Sequence, residues 1–266
     1  MEEIISSRQN IQIKKIRGLL QKKNRQKEDA FLLNGTKLFM EAFTWGVTIT
    51  HIFLTTHYIE QTDDKVKQTI EKVRSSGVLY QSVSESVLKS LTSEQNPEGI
   101  IVRAKKVKLN KNFFSNCVIL DNIRDPGNMG TIIRTVDAAG FDAIICSECC
   151  VDIYNEKVLR AAMGSNFHFP IFQTQNVLQE IDKLKKQGYF IIGTSLDGIE
   201  TLGENLSVPN QKVIIIFGSE SHGISPVVEA QCDFLWKLPI WGNAESLNVA
   251  VSAGIMMYLL KEKLNN

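Results

Sequence analysis

Short apolar runs alternate with stretches of helical periodicity over the first hundred residues. Within residues 1–27, apolar side chains recur at roughly helical spacing and predict one amphipathic helix. The pattern that follows is typical of a small α/β domain. The apolar side of the first helix consists of Ile11, Ile16, Leu19 and Leu20. Strands are predicted at residues 31–33, 49–55, 78–83 and 99–104, and helices at residues 36–43, 63–75 and 84–91.

A second alternation of strands and helices begins at Cys117. Its near-continuous apolar runs at residues 118–120 and 213–217 are typical of strands that are buried on both faces. Strands that alternate with helices predict a parallel sheet with helices on both faces. The predicted organisation is a small α/β domain over residues 1–104, a lysine-rich linker over residues 105–114 and a larger α/β domain over residues 115–266.

The charges are distributed unevenly along the chain. The 266 residues contain 30 Lys+Arg and 29 Asp+Glu, a net charge of only +1. Residues 1–114 nevertheless contain 19 basic and 12 acidic side chains, and residues 115–266 contain 11 and 17, so the two parts have net charges of +7 and −6. The basic part predicts a polyanionic partner, although a solvated helix face would look the same. The expected phosphate contacts are Lys14, Lys15, Arg17, Lys22, Lys23 and Arg25.

Composition excludes several classes of protein. Hydrophobic residues make up 43% of the chain, which is enough for a core and argues against bulk disorder. No apolar window predicts a transmembrane helix, and the first residues do not resemble a secretory signal. The 5 cysteines, an odd number, favour a reducing cytoplasm over a disulfide framework. Cys146, Cys149 and Cys150 lack a second pair of ligands, so we expect no metal site.

The first of three unusual loops (residues 121–130) follows the predicted strand at residues 118–120. Pro126 and Gly127 predict a tight turn there, and Asn128 can cap the helix that follows. Arg134 lies six residues beyond Asn128, near enough to the start of the helix to reach back over the loop.

Two further loops combine glycine with polar side chains. In the second loop (residues 217–226), Gly218 permits close approach of the backbone to a ligand, and Glu220 lies between two glycines. In the third loop (residues 238–250), Ser246 and Asn248 are polar at the start of an apolar helix, and capping explains Ser246 better than Asn248. Ligands bind beyond the carboxyl ends of parallel strands, so we expect the three loops to form one site.

In this order and spacing, the three loops resemble the SpoU-type class of the SPOUT superfamily of RNA methyltransferases. The first resembles that family's motif of Asn, Gly and Ile-Ile-Arg-Thr, the second its Gly-x-Glu-x-x-Gly motif, and the third its Pro…Ser-Leu-Asn motif. The resemblance covers residues 117–264, and residues 31–35 and 41–42 resemble, more weakly, the substrate-binding domain that often precedes it. The pair Ile240-Trp241 departs from the family, in which many members have Met and a small residue.

The resemblance implies transfer of a methyl group from S-adenosylmethionine to a ribose 2′-oxygen in RNA, and a parallel sheet whose C-terminal segment forms a trefoil knot. Arg134 matches the family's essential arginine, either as a base or, as we favour because a guanidinium stays protonated, as a donor to the developing alkoxide or a phosphate. The implied catalytic residues are Asn128, Arg134, Glu220, Ser246 and Asn248. The implied cofactor-binding residues, acting mostly through backbone groups, are Gly193, Thr194, Phe217, Gly218, Leu238, Ile240 and Leu247, and Arg124 is expected to contact RNA.

The resemblance to the family also implies a homodimer. The long apolar helix at the end of the sequence is compatible with such a dimer. That helix is equally compatible with an intramolecular core, so the sequence leaves the question open. Ribosomal RNA is the favoured substrate and transfer RNA the alternative. A non-catalytic RNA-binding protein that has kept the fold is the remaining alternative from another class.

Overall fold

The computed structural model describes residues 4–107, 114–201, 212–219 and 221–265. Contacts group the described residues into two units. Unit 1 consists of residues 4–107 together with Asp152–Phe167, and unit 2 consists of the other described residues. The sequence had placed residues 152–167 in the second domain, so the observed division differs at this segment. A stretch from the middle of the second sequence region therefore belongs, by packing, to the first unit.

The described residues form ten strands and eleven α-helices. Strands are β1 (Ala30–Asn34), β2 (Ile49–Leu54), β3 (Leu79–Ser82), β4 (Ile100–Lys105), β5 (Asn116–Leu120), β6 (Ala143–Ser147), β7 (Ile171–Thr174), β8 (Phe190–Glu200), β9 (Val213–Phe217) and β10 (Phe234–Lys237). Helices are α1 (Ile11–Arg17), α2 (Lys22–Glu28), α3 (Thr36–Thr44), α4 (Thr56–Gln61), α5 (Asp64–Ser75), α6 (Glu85–Lys89), α7 (Pro126–Ala138), α8 (Glu156–Ala162), α9 (Val177–Lys186), α10 (Pro226–Glu229) and α11 (Val249–Asn265).

Unit 1 is built on a four-stranded mixed sheet in the order β1-β4-β2-β3. Strand β4 is antiparallel to both of its neighbours, and β2 and β3 are parallel. One face of this sheet packs against the apolar side of α1, including Ile13 and Ile16. The other face packs against α3 and α5 and also against Tyr154, Leu159 and Phe167 from the 152–167 segment. Helices therefore cover both faces of the sheet of unit 1.

The basic segment at the start of the chain is two short helices rather than the single helix that the sequence predicted. Helix α1 ends at a 3₁₀ turn, Gly18–Leu20, and α2 begins only after Gln21, whose ψ of 133° is extended. The extended residue breaks the continuous hydrogen-bond ladder that one helix would need. Both helices nonetheless present lysines to solvent.

Unit 2 contains a six-stranded sheet in the order β10-β8-β9-β5-β6-β7. All of its strand pairs are parallel, so the predicted parallel sheet is confirmed. Every residue of β5, β6 and β9 is buried, which explains their continuous apolar sequences. Helices α9 and α10 contribute to a core on one face, and α7 packs against α11.

The order of strands reverses at β5, because the chain continues to β6 on one side and returns to β9 on the other. Leu120 at the end of β5 is in register with Phe217 at the end of β9. The first and second loops therefore leave neighbouring strands side by side. Ligands of open parallel sheets bind at this kind of switch point.

Candidate active site

The first loop is shaped by local hydrogen bonds. Asn122 has a φ of +65°, which asparagine tolerates better than most residues, and its backbone N–H donates to the Ser147 hydroxyl at 2.9 Å. The Arg124 Nε donates to the Asn122 side-chain oxygen at 2.9 Å, and Arg124 is exposed. These contacts hold the loop at the carboxyl end of β5, with a cation on its surface.

Helix α7 is capped by Asp125 and not, as predicted, by Asn128. The Asp125 carboxylate accepts from the backbone N–H of Asn128 at 2.8 Å, and Pro126 occupies the first helical position. The sequence-based assignment was wrong because the Asp-Pro pair places the cap three residues earlier. The Asn128 side chain is thereby released from capping.

A hydrogen bond joins the first loop to the third. Asn248 Nδ2 donates to Asn128 Oδ1 at 3.0 Å. The Asn248 side-chain oxygen accepts from the backbone N–H groups of Ala250 at 2.9 Å and Val251 at 3.4 Å, so Asn248 caps α11. Ser246 has no hydrogen bond with any described residue, so capping, the alternative explanation that suited Ser246 better, applies to Asn248 instead. One asparagine thus fixes the start of α11 and ties it to the start of α7.

We expect the two functions of Asn248 to separate by substitution. Asn248→Ala should lower the free energy of unfolding by about 1 kcal/mol, because α11 loses its cap. Asn248→Asp retains a capping oxygen and loses only the donor to Asn128, so it should retain most of that stability. Urea unfolding of both variants tests this expectation, and equal losses in the two would show that capping is not the contribution that matters.

Arg134 lies on α7, six residues beyond Asn128 and about 9 Å along the helix axis. The side chain is exposed and makes no ion pair with any described residue. Side chains of an α-helix tilt toward its N-terminus, so we expect the guanidinium to extend toward the N-terminal end of α7. Arg134 is therefore an exposed cation on the same helix as Asn128, with no ion pair among the described residues.

The second loop depends on glycine at position 218. A Cβ atom there would lie 2.0 Å from the backbone carbon of Gly223, so only glycine permits this close approach. Two backbone hydrogen bonds of 2.9 Å between Ser219 and Gly223 close the loop. Glu220 lies outside the described residues, and its expected role stays a prediction.

The third loop is open to solvent. Residues 241–248 are all exposed, and residues 240–246 make no hydrogen bond with any described residue. Leu238 and Ile240 are half-buried, and Leu247 is 40% exposed. The backbone N–H and C=O groups of residues 240–246 are consequently available to a ligand.

The other expected cofactor positions have side chains that are already engaged in packing. Thr194 Oγ1 donates to the carbonyl of Ile216 at 2.9 Å, and the Phe217 side chain is buried. A Cβ atom at Gly193 would lie 2.6 Å from Cys232 Sγ, so close packing already requires a glycine there. We therefore expect ligand contacts from these positions to use mainly backbone groups.

A pair of buried thiols lies beneath the first loop. Cys150 Sγ donates to the carbonyl of Leu120 at 3.3 Å. A hydrogen bond to the Cys146 thiol, with others from Ser147 and the first-loop backbone, lowers the pKa of Cys150 to about 7 against the opposing effect of burial. The same hydrogen bond and burial raise the pKa of Cys146 well above its usual value. The Cys150 thiol thus contacts the backbone of the first loop from within the core.

The expected RNA-binding residues fall into two groups. Lys14, Lys15, Lys22 and Lys23 are exposed and Arg17 is half-buried, while Lys15 lies 3.5 Å from the Glu28 carboxylate.

Arg25 differs from the others, because it is only 4% exposed. Its Nε donates to Asp152 Oδ2 at 2.7 Å, and its Nη1 donates to the carbonyls of Leu19 and Leu20 at 2.9 Å each. We therefore assign Arg25 a structural role in unit 1 in place of the expected contact with RNA.

The described residues contain neither a candidate metal site nor a candidate membrane-spanning helix. No group of three or more His, Cys, Asp or Glu side chains there is arranged to hold a metal ion. No helix among the same residues is long and apolar enough to cross a membrane.

Comparison with known proteins decides the family. Residues 115–258 match the SpoU rRNA Methylase family, and residues 10–102 match the MRM3-like substrate binding domain. The chain belongs to the SpoU rRNA methylase family. The family assignment made from the three loops is thereby confirmed, as is the α/β fold with a smaller N-terminal domain.

Individual relatives of this SpoU methylase cover almost its whole length. A protein of Bacillus subtilis (strain 168), named 23S rRNA (guanosine(2553)-2′-O)-methyltransferase RlmP, is 31% identical over 97% of this chain and 98% of its own. The AdoMet-bound rRNA methyltransferase from Sinorhizobium meliloti is 29% identical, with a TM-score of 0.85, over 98% of this chain and 97% of its own. The fold is shared with AviRb from Streptomyces viridochromogenes at 20% identity and a TM-score of 0.85.

Sequence reasoning missed two residues that organise this SpoU methylase. Asp125 was detectable, because an acidic residue directly before proline is a common start of a helix. Asp152, the buried partner of Arg25, had no local signal, because the two residues are 127 positions apart.

Proposed function

We propose that this protein transfers the methyl group of S-adenosylmethionine to a ribose 2′-hydroxyl group in ribosomal RNA. The observation that carries the proposal is the hydrogen bond from Asn248 to Asn128, which joins the third loop to the first at the start of α7, the helix that also carries the exposed Arg134. The Bacillus subtilis relative is named as a 2′-O-methyltransferase of 23S rRNA, and the Sinorhizobium meliloti relative was solved with the methyl donor.

The residues present fit the methyl donor. Its adenine and methionine parts need hydrogen-bond donors and acceptors, and the backbone groups of residues 240–246 are unpaired with any described residue. Gly218 brings the second loop close without a side chain in the way. When bound, S-adenosylmethionine supplies an electrophilic methyl group on a sulfonium. Leu238, Ile240, Leu247, Gly193, Thr194, Phe217 and Gly218 are the residues that we expect to hold it.

The polar residues have complementary roles at the acceptor. As the ribose oxygen bonds to the methyl carbon, the bond from that carbon to sulfur breaks and leaves a neutral thioether. The hydroxyl proton passes to a base or to water, so partial negative charge develops on the ribose oxygen. Arg134 is expected to donate to that oxygen or to an adjacent phosphate, where a fixed cation would stabilise the developing charge. Asn128 and Asn248 fix the loops, and Glu220 and Ser246 are expected to orient Arg134 and to hold the third loop. Holding the acceptor in line with the methyl group can itself contribute about 7–11 kcal/mol to lowering the barrier.

Lysines of the N-terminal helices are proposed to bind the RNA backbone, together with Arg17 and Arg124. Lys22 and Lys23 are exposed on α2 and form no ion pair with any described residue. We expect Lys22→Ala/Lys23→Ala to weaken RNA binding and to flatten its dependence on salt. Each lost phosphate contact lowers the slope of log K against log salt by about 0.7–0.9.

Filter binding of 23S rRNA fragments between 50 and 300 mM salt measures that slope. The matched control is Lys183→Ala/Lys186→Ala, which removes two exposed lysines from α9 of unit 2. An unchanged slope in the α2 variant, or the same change in the control, would contradict a role for these helices in RNA binding.

Two further features belong to the proposal. Val251, Ile255 and Tyr258 form an exposed apolar stripe on α11, at 51%, 42% and 54% exposure, which is suited to a homodimer contact. The parallel sheet is also expected to contain the trefoil knot of the family. We expect the protein to act in the cytoplasm.

Mapping of ribose methylation in total RNA from a deletion strain tests the function. We expect one mark on 23S rRNA to be lost, restored by the wild-type chain and not restored by Arg134→Ala. The equivalent of guanosine 2553, the position in the name of the Bacillus subtilis relative, is the first to examine. Loss of a ribose methyl group from transfer RNA would instead identify transfer RNA as the substrate. No lost mark, together with no binding of S-adenosylmethionine at millimolar concentration, would favour the non-catalytic alternative.

A further inference from the structure

Two tryptophans five residues apart have opposite environments. Trp236, in β10, is fully buried, and its Nε1 donates to the carbonyl of Thr201 at 2.9 Å. Trp241, in the third loop, is 83% exposed and makes no hydrogen bond or ring contact with any described residue. Tryptophan is on average a strongly buried residue, and exposed apolar surface marks sites of interaction. Folding of unit 2 leaves this indole without a packing role.

Trp241 lies in the loop that completes the candidate site. The loop leaves β10 and ends at Asn248, which contacts Asn128 at the start of α7. A Cβ atom at the neighbouring Gly242 would meet nothing within 4 Å, and residues 241–248 are all exposed. Space therefore surrounds the indole on the solvent side of the loop.

The composition of the loop indicates which part of an RNA it contacts. Between residues 238 and 248 the only charged side chain is Glu245, so the loop offers no cation to a phosphate. What it offers is a large flat aromatic ring. Unstacked bases of RNA bind to protein aromatic rings by stacking, and this contact tolerates any base because each has a π face.

We propose that Trp241 stacks on a nucleobase of the RNA, at or next to the nucleotide whose ribose is methylated. This inference rests on the proposed function, since it takes the acceptor to be a nucleotide held at the third loop. Stacking would orient the base, and through it the attached ribose. Trp241 is thus a positioning residue for the acceptor, with no part in the chemical step.

Three substitutions separate stacking from other roles of the indole. Trp241→Phe keeps an aromatic ring, Trp241→Leu keeps apolar surface without a ring, and Trp241→Ala removes both. We expect Trp241→Leu and Trp241→Ala to raise the Kd for a 23S rRNA fragment around guanosine 2553 at least about fivefold. The KM for the same RNA should rise by a similar factor. Phe should stay within about twofold to threefold of the wild type. The matched control is Trp45→Leu at the end of α3, a second tryptophan that is 50% exposed.

A direct signal accompanies the binding data. In a Trp45→Phe background, Trp241 is the only exposed indole among the described residues. RNA should therefore quench the tryptophan fluorescence of this variant. The additional substitution Trp241→Phe should abolish the quenching. The Kd for S-adenosylmethionine and the sedimentation coefficient of the free protein should be unchanged in all variants.

Three results would overturn the proposal. If Trp241→Leu and the wild type bind RNA with equal affinity and RNA does not quench the fluorescence, Trp241 does not contact the RNA. Weaker binding of S-adenosylmethionine alone would place the indole against the methyl donor. A changed sedimentation coefficient with unchanged RNA affinity would place it against a second copy of the chain. Failure of the wild type to methylate any RNA would contradict the proposed function instead, and the quenching and affinity data would still decide whether Trp241 stacks.

Discussion

Arg134→Ala should lower the rate of methyl transfer about 10²- to 10³-fold while changing the affinity for S-adenosylmethionine by no more than a few-fold. Removing one preorganised donor to a developing oxyanion costs about that factor in other enzymes. The side chain is exposed on α7 and makes no ion pair with any described residue, so its loss should leave the fold intact. Transfer of labelled methyl groups to RNA, with calorimetry for donor binding, measures the two quantities separately.

A graded series sharpens this test. Arg134→Lys keeps the charge and loses the planar fork of donors, so an intermediate rate indicates that charge stabilisation and geometry both contribute. Lys186→Ala, on α9, removes the same charge elsewhere in unit 2 and should turn over normally. Normal turnover by Arg134→Ala would show that the site has been placed wrongly. A large loss of donor affinity in that variant would instead assign Arg134 to the binding of S-adenosylmethionine.

Arg25→Ala should lower the free energy of unfolding of unit 1 by about 3–5 kcal/mol. The side chain and its partner Asp152 are 5% and 10% exposed, and breaking a buried ion pair leaves the other charge without compensation. The carbonyls of Leu19 and Leu20 also lose their donor. Urea unfolding, together with hydrogen exchange of the β1 amides, measures the loss in unit 1.

The pair also permits a test by compensation. Arg25→Met/Asp152→Asn removes both charges and keeps an acceptor for the backbone N–H of Tyr154, which donates to Asp152 at 3.0 Å. This double variant should recover part of the lost stability. Lys27→Ala, an exposed neighbour on α2, should stay within about 0.5 kcal/mol of the wild type. A similar loss in Lys27→Ala would mean that α2 is sensitive to any substitution.

Apolar runs and loop chemistry were sufficient to predict most of the architecture. Residues 118–120 and 213–217 are continuous apolar runs, and they form two central strands of the parallel sheet. Val158, Leu159 and Ala162 were equally visible as the apolar side of a helix. Helical periodicity predicts that the apolar side of a helix is buried, but it does not predict against which sheet the helix packs. The membership of residues 152–167 in unit 1 could therefore not be predicted.

The candidate site was predicted as a set of loops, and its contacts were not. Parallel strands bring their carboxyl ends to one edge, so the meeting of Asn128 and Asn248 follows from topology. Which of these residues caps a helix depends on the exact helix start, and that is the least certain boundary in a sequence. Hence Asp125 and Asn248, in place of Asn128 and Ser246, proved to be the caps.

The membership of Asp152–Phe167 in unit 1 has a consequence for the synthesis of the protein. Domains usually fold from the N-terminus while the ribosome is still translating, at about 5–20 residues per second. Unit 1 cannot complete its core at residue 107, because Tyr154, Leu159 and Phe167 belong to that core. It must wait for a further 60 residues, or roughly 3–12 s, while β5 and β6 of the other unit emerge from the exit tunnel. Apolar residues of unit 1 therefore remain exposed on the nascent chain during that interval. A chaperone at the ribosome could bind this exposed apolar surface.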